Sequence, residues 1–140
     1  MTAQEFLSQV YKLDLQIKAQ IEELNYIHSL AEKVTSVITG MPGSANKNGM
    51  EDSIIRCTIL EEKITQDIGA MIDLRRQAAE VIAAVRNVDC RLILAKRYLQ
   101  YKQWEDIADE MGYSRENIFR LHRKALKIVE NYTLKYTKIQ

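Results

Sequence analysis

The sequence has few of the residues that interrupt helices. It contains 5 Gly and 1 Pro among 140 residues, whereas an all-β sandwich or barrel needs a turn roughly every 8–12 residues. Hydrophobic residues make up 46% of the chain and charged residues 28%, a balance that is not typical of disordered proteins. We therefore expect an all-α protein.

Cysteines and long apolar runs are also scarce. Cys57 and Cys90 stand alone, without a CxxC pair or a His/Cys cluster, so we expect reduced structural thiols and neither a disulfide nor a metal site. No run approaches the ~20 apolar residues of a membrane span. Charges interrupt the N-terminus too often for a signal peptide. These features predict a soluble cytoplasmic protein that does not enter a membrane.

Residues arranged for catalysis are missing as well. His28 and His122 are isolated in the sequence, and there is neither a Gly-rich phosphate loop nor an acid/base pair beside a nucleophile. The glutamate pairs at 22–23 and 61–62 are expected on solvated helix faces. We therefore predict no enzymatic activity, no catalytic residues, no metal and no cofactor.

Two long apolar stripes precede residue 86, and each predicts a helix with a narrow seam. The first stripe, interrupted only by Gln20, consists of Phe6, Val10, Leu13, Ile17, Leu24, Ile27, Ala31, Val34 and Ile38. The stretch GMPGSANKNG at 40–49 holds the only proline and should end this helix. The second stripe consists of Ile54, Cys57, Leu60, Ile64, Ile68, Met71, Ala78, Ile82 and Val85. We expect a coiled-coil-like antiparallel hairpin.

Some large apolar residues lie outside both stripes and should stay exposed in a monomer. They are Leu7, Tyr11, Ile21, Ile55, Ile59 and Ile72. Because exposed apolar patches of this kind mark interaction surfaces, we expect the hairpin to form a homodimer.

The last third of the chain carries a helix-turn-helix pattern. A helix over residues 91–101, capped by Asp89, should bury Leu92, Leu94, Ala95, Tyr98 and Leu99. The segment WEDIADEMGYSRENIFRLHRKAL then begins at Trp104. Two crossing helices would share the apolar residues Ile107, Met111, Ile118 and Leu121. Ala108 is small where the helices approach, Gly112 suits a turn with positive φ, and Ser114 can cap the second helix.

Charge is distributed unevenly along the chain. Residues 1–84 carry 8 Lys/Arg against 12 Asp/Glu, whereas residues 85–140 carry 12 against 7. A basic end favours a polyanionic partner. The outward positions of the second helix also suit base reading, because Arg pairs with guanine, Asn with adenine and Glu with cytosine. The predicted DNA-binding residues are Ser114, Arg115, Glu116, Asn117, Phe119, Arg120, Arg123, Lys124 and Lys127, of which Arg123, Lys124 and Lys127 are placed for phosphates.

Residues from about 89 to 129 resemble the fourth conserved region of housekeeping sigma factors. The resemblance rests on RYL at 97–99, SREN at 114–117 and KAL at 124–126. It implies that the segment binds the −35 promoter element and the RNA polymerase flap, with Arg115, Glu116 and Arg120 facing the major groove. Asn117, Phe119 and His122 differ from the usual sigma residues.

The whole chain is similar to small phage- and prophage-encoded late-transcription regulators of the RinA/ArpU type. This similarity implies a hairpin at 1–86 for oligomerisation or partner binding and a DNA-binding domain at 87–140. It also implies double-stranded DNA and host RNA polymerase as partners. Nothing in the chain corresponds to the part of a sigma factor that melts the −10 element, so an activator is expected rather than a complete sigma factor.

Two alternatives remain open at this point. Small terminase subunits of phage packaging machines also combine a helix-turn-helix with an oligomerising hairpin, although their DNA-binding module usually comes first. A protein adaptor that binds polymerase without binding DNA would use the same three-helix bundle.

Overall fold

The computed structural model describes the backbone of residues 1–38 and 47–138, and the side-chain surroundings of residues 1–33 and 49–132. Within these ranges the chain forms α-helices and no strand, which confirms the predicted all-α class. The helices are α1 (Ala3–Ile38), α2 (Lys47–Ala83), α3 (Val88–Leu94), α4 (Trp104–Met111) and α5 (Arg115–Lys138). A π-helical turn, Ala95–Leu99, directly follows α3.

The ends of the two long helices are only partly as expected. Thr2 and Glu5 form a capping box at the start of α1, since the Thr2 N–H donates to Glu5 Oε2 at 3.0 Å and the Glu5 N–H donates to Thr2 Oγ1 at 3.1 Å. The break predicted at 40–49 falls mostly outside the described residues. Because α2 already begins at Lys47, Gly49 lies inside a helix and not in the connection.

The chain contains two compact units. The larger unit combines residues 1–12 with residues 71–140, and the smaller unit is residues 13–70. The expected boundary between residues 86 and 87 lies inside the larger unit. Its meaning as a functional boundary stays a prediction.

The core of the larger unit joins α1, α2, α3 and α5. Its buried members are Ala3, Leu7, Val10, Ala78, Ile82, Val85, Cys90, Leu94, Tyr98, Ala125 and Val129. Leu7 is fully buried here, so the expectation that it stays exposed was wrong. The stripe had been placed through Phe6, whereas this end of α1 directs Ala3, Leu7 and Val10 inward.

The start of α3 also differs from the expectation. Asn87, not Asp89, caps the helix, because the Asn87 side chain accepts a hydrogen bond from the Cys90 N–H at 3.1 Å. Asp89 instead lies in the first turn, where its carboxylate stabilises the helix through a favourable interaction with the helix dipole. The buried side of α3 is Cys90, Ile93 and Leu94, whereas Leu92, expected inside, is 41% exposed.

The smaller unit has a thin core. Ile17, Cys57 and Ile64 are buried in it, but Ile54 and Ile68 are exposed although both belong to the predicted second stripe. The His28 ring and the Glu61 carboxylate lie 3.6 Å apart on its surface. The antiparallel hairpin as a whole stays a prediction.

Candidate nucleic-acid interface

The chain from α4 to α5 forms two helices joined by residues 112–114. Gly112 ends α4 in the left-handed conformation, with φ of 69°, as predicted for a turn that requires positive φ. Ser114 Oγ accepts a hydrogen bond from the Asn117 N–H at 3.2 Å, which confirms the predicted N-terminal cap of α5. The local sequence therefore determines where α4 ends and α5 begins.

A separate small core holds these two helices together. It consists of Ile93, Ile107, Ala108, Ile118 and Leu121, with Trp104, Met111 and Tyr113 packed against it. The predicted inward positions of both helices are confirmed. Ile93 of α3 completes this core, although it was not among the residues predicted to be buried in α3.

The predicted DNA-binding residues lie along the first four turns of α5 and its cap. Asn117 and Phe119 are half-buried. The others are exposed: Ser114, Arg115, Glu116, Arg120, Arg123, Lys124 and Lys127. Because Ile118, Leu121 and Ala125 of the same helix are buried, α5 has an apolar face in the bundle and a predominantly basic face in solvent.

Two of the exposed arginines already contact polar partners within the protein. Asn117 Oδ1 accepts hydrogen bonds from Arg120 Nε at 3.2 Å and from Arg120 Nη2 at 2.7 Å. Arg115 Nη2 lies 3.5 Å from Glu105 Oε1 of α4. The Asn117 carbonyl oxygen is therefore engaged by Arg120, and this bond limits the side-chain positions open to both residues.

An aromatic cluster packs against the first turns of α5 on the side that faces α4. Trp104 contacts Phe119 edge to face, with ring centroids 5.3 Å apart, and contacts the His122 ring at 4.6 Å. The Arg97 guanidinium lies over the Trp104 ring at 4.6 Å from its centroid. Phe119 thus packs against α4 with part of its surface, although the sequence analysis placed it only among residues facing DNA.

His122 and Tyr98 form the polar centre of this cluster. Tyr98 Oη and His122 Nε2 are 2.7 Å apart in a buried hydrogen bond. Burial, helped by the nearby charges of Arg97 and Arg123, lowers the pKa of His122 to about 4, and burial raises the pKa of Tyr98 to about 12. Both side chains are consequently neutral at physiological pH.

This cluster was not predicted from the sequence because Tyr98 and His122 belong to different helices. Their pairing depends on how α5 packs against the π-helical turn, and no local pattern encodes it. The nearest signal was the departure of His122 from the usual sigma residue.

Ion pairs connect the π-helical turn to α4. Glu110 accepts hydrogen bonds from both Lys102 and Lys96, the latter at 2.9 Å. These bonds lower the pKa of the Glu110 carboxyl. Arg97 Nη1 also donates to the Lys102 carbonyl at 2.9 Å. The connection to α4 is therefore anchored by side chains from the turn before it.

Other kinds of site find no support in the described residues. Across residues 1–38 and 47–138, no group of three or more His, Cys, Asp or Glu could hold a metal ion. No helix in those ranges is long and apolar enough to span a membrane.

The family model described as protein of unknown function (DUF1492) matches residues 33–130. This match covers more than half of the chain, so the protein belongs to that family. No curated protein and no solved structure matches the chain. The matched range includes all of α4 and the basic part of α5.

Proposed function

We propose that this member of the DUF1492 family is a sequence-specific regulator of transcription that binds double-stranded DNA through α5. One observation carries the proposal. Arg115, Arg120, Arg123, Lys124 and Lys127 are all exposed on the face of α5 that points away from the small core. A basic face on the second helix of a helix-turn-helix suits the major groove.

The contacts on α5 suggest which of its residues contact bases and which contact phosphates. Arg115, Glu116 and Arg120 lie in the first two turns and read base edges. Because the Asn117 carbonyl already accepts from Arg120, Asn117 orients Arg120 toward a guanine rather than reading an adenine of its own. Arg123, Lys124 and Lys127 contact phosphates, which adds affinity without sequence information.

The sigma-like resemblance extends the proposal to the biological setting. We propose that the protein acts on phage or prophage late genes together with host RNA polymerase, as an accessory activator. We further propose that it does so as a homodimer, which would carry two copies of α5 to a two-fold site. The polymerase partner and the promoter are proposed from the sigma-like resemblance. The homodimer is proposed from the exposed apolar residues.

The proposal is tested by selecting a preferred site from a random duplex library and measuring binding by fluorescence anisotropy at several salt concentrations. Arg115→Ala and Arg120→Ala should each cost about 1–3 kcal/mol on the selected site and relax the preference there. Arg123→Ala and Lys127→Ala should weaken binding to every duplex and flatten the salt slope by about one unit each. Arg75→Ala removes an exposed cation on α2 and should change neither quantity.

Binding that is independent of both Arg115 and Arg120 would mean that α5 does not read DNA. Absence of any salt-dependent duplex binding would favour the polymerase adaptor. A ring of eight or more subunits would favour the packaging subunit over the regulator.

A further inference from the structure

A cavity of about 190 Å³ lies in the larger unit, beside the start of α4. Residues from the first turns of α1, from the π-helical turn and from the segment that leads into α4 line it. None of them is among the DNA-binding residues proposed above. The proposed function therefore leaves this cavity unused.

Four of the eight residues that line the cavity are aromatic. Tyr11, Tyr98, Tyr101 and Trp104 line the cavity, and the rings of Tyr11 and Tyr101 are tilted by 58° with centroids 5.2 Å apart. Aromatic faces and edges pack well against another planar ring. Pockets for drug-sized ligands occupy roughly 300–1,000 Å³, so this smaller cavity suits a single ring or a fused pair.

The backbone around the cavity is unusual. Tyr101 has a φ of 58°, which is rare for a residue other than glycine. The Gln100 N–H bonds to the Ala95 carbonyl at 3.1 Å, which is the π-helical spacing. Irregular backbone of both kinds is concentrated at functional sites in proteins, and here both border one cavity.

The charge of the lining is positive. Arg97 is the one charged residue that lines the cavity, and the uncharged Gln4, Ser8 and Gln103 supply further polar groups. Arg97 uses one donor for the Lys102 carbonyl, and a guanidinium has five N–H donors.

We propose that this cavity binds a small planar aromatic ring that carries one anionic group. The ring lies against the tyrosines and Trp104, and the anionic group pairs with Arg97. Cations and non-planar rings of the same size should bind more weakly, because Arg97 repels a cation and a non-planar ring packs less well against the aromatic side chains.

A ligand bound in the cavity would also affect the packing of α5. Trp104 lines the cavity and also contacts Phe119 and His122 of α5. A ligand that shifts Trp104 therefore alters the support of the first turns of α5. An effect on DNA affinity rests on the proposed function, whereas the binding of the ligand does not.

Trp104 is the only tryptophan of the chain, so its fluorescence reports directly on the cavity. Benzoate is the probe, with benzylamine as the cationic control and cyclohexanecarboxylate as the non-planar control. A saturable change with benzoate, at least about tenfold weaker with either control, is the expected result. Equal responses to all three compounds, or no response to benzoate, would overturn the proposal.

Matched variants locate the bound probe by isothermal titration calorimetry. Arg97→Gln should weaken benzoate binding at least about tenfold, whereas Arg91→Gln should not, although Arg91 also donates to a backbone carbonyl, that of Val85 at 3.2 Å. Tyr11→Ala should weaken binding, and Tyr26→Ala, which removes a more exposed tyrosine of the same helix, should not. Tyr11 is 45% exposed, so its variant keeps the test valid if Arg97→Gln unfolds. Equal losses in Tyr11→Ala and Tyr26→Ala would refute the assignment.

A final comparison separates this proposal from the DNA-binding one. Duplex affinity is measured with and without saturating benzoate. Benzoate binding without any duplex binding would refute the proposed function and leave the cavity assignment standing. Duplex binding without benzoate binding would refute the cavity assignment and leave the proposed function standing.

Discussion

His122 is a titratable residue that is buried, with 7% of its surface exposed. It is buried against Tyr98 and Trp104, and its neutral ring can accept a hydrogen bond from the Tyr98 hydroxyl. Protonation would place a cation in this cluster beside Arg97 and Arg123. His122 therefore stabilises the fold only while it is neutral.

This arrangement predicts a loss of stability in mild acid. The pKa of His122 is about 4 in the folded protein and about 6.5 in an unfolded chain. The unfolded state thus binds more protons between these values, and the free energy of unfolding should fall by about 1–2 kcal/mol from pH 7 to pH 5. Urea titrations at both pH values measure the loss.

The matched variants for this prediction are His122→Gln and His28→Gln. The first should reduce the difference between pH 7 and pH 5, because the titrating group is gone. The second should preserve it, because His28 is exposed. An unchanged pH dependence in His122→Gln would assign the acid sensitivity to other groups.

Gly112 provides a second prediction at this scale. A Cβ placed on Gly112 meets no atom within 4 Å, so a substitution there acts through the backbone alone. Gly112→Val should cost about 1–3 kcal/mol because of the positive φ, and Gly112→Asn should cost less, since Asn tolerates this conformation. Gly69 lies within α2, and a Cβ placed on it also meets no atom within 4 Å. Gly69→Ala should therefore stabilise the protein by about 1 kcal/mol. Thermal melts compare the three, and equal stability of Gly112→Val and wild type would contradict the role of the turn.

At the scale of elements, the features predicted correctly from the sequence are those that depend only on neighbouring residues in the chain. The apolar positions of α4 and α5, the left-handed Gly112 and the Ser114 cap follow from residue types within one short segment. The shift of the α3 cap to Asn87 was missed because Asn87 and Asp89 are both good capping residues. The position of Leu92 was wrong for a different reason, because three consecutive apolar residues, 92–94, do not show by themselves which of them faces the core, and packing buries Ile93 and Leu94.

The candidate site was predictable to a similar degree. The exposed basic residues of α5 could be read from the helical period, since Ile118 and Leu121 define the opposite face. The pairing of Asn117 with Arg120 and the packing of Phe119 on Trp104 could not. These contacts depend on rotamers and on the distance between two helices, which a one-dimensional pattern does not contain.

At the scale of the whole molecule, α5 also contributes Ala125 and Val129 to the core that includes the start of α1. Leu7 is fully buried in this core together with Leu94 and Val129. Leu7→Ala should therefore cost about 2–5 kcal/mol and should shift the melting transition seen by Trp104 fluorescence. Gln16→Ala, at an exposed position of the same helix, should stay within about 0.5 kcal/mol of wild type. Equal stability of the two variants would mean that α1 does not support the helix-turn-helix.

The smaller unit leads to a prediction about assembly. Large apolar side chains are exposed on it, namely Leu15, Ile21, Tyr26, Leu30, Ile54, Ile55, Ile59 and Ile68. We expect a second copy to cover part of this surface, so light scattering at micromolar concentration should return a dimer. Ile55→Lys combined with Ile59→Lys should shift the protein toward monomer, because both residues lie on one side of α2. Arg75→Glu, at an exposed position of α2 outside the smaller unit, should leave the dimer intact, and a wild-type monomer would exclude the assembly.

The division of the larger unit has a further consequence for how the protein is made. Residues 1–12 leave the ribosome before their packing partners, which begin at residue 71 and extend to Val129. Contacts between such distant residues form slowly, since a long loop must close before they are made. Leu7 and Val10 therefore stay without their complete core until synthesis has passed Val129. Because Val129 lies in the basic helix α5, the nascent chain completes this core and its candidate DNA-binding surface at almost the same moment.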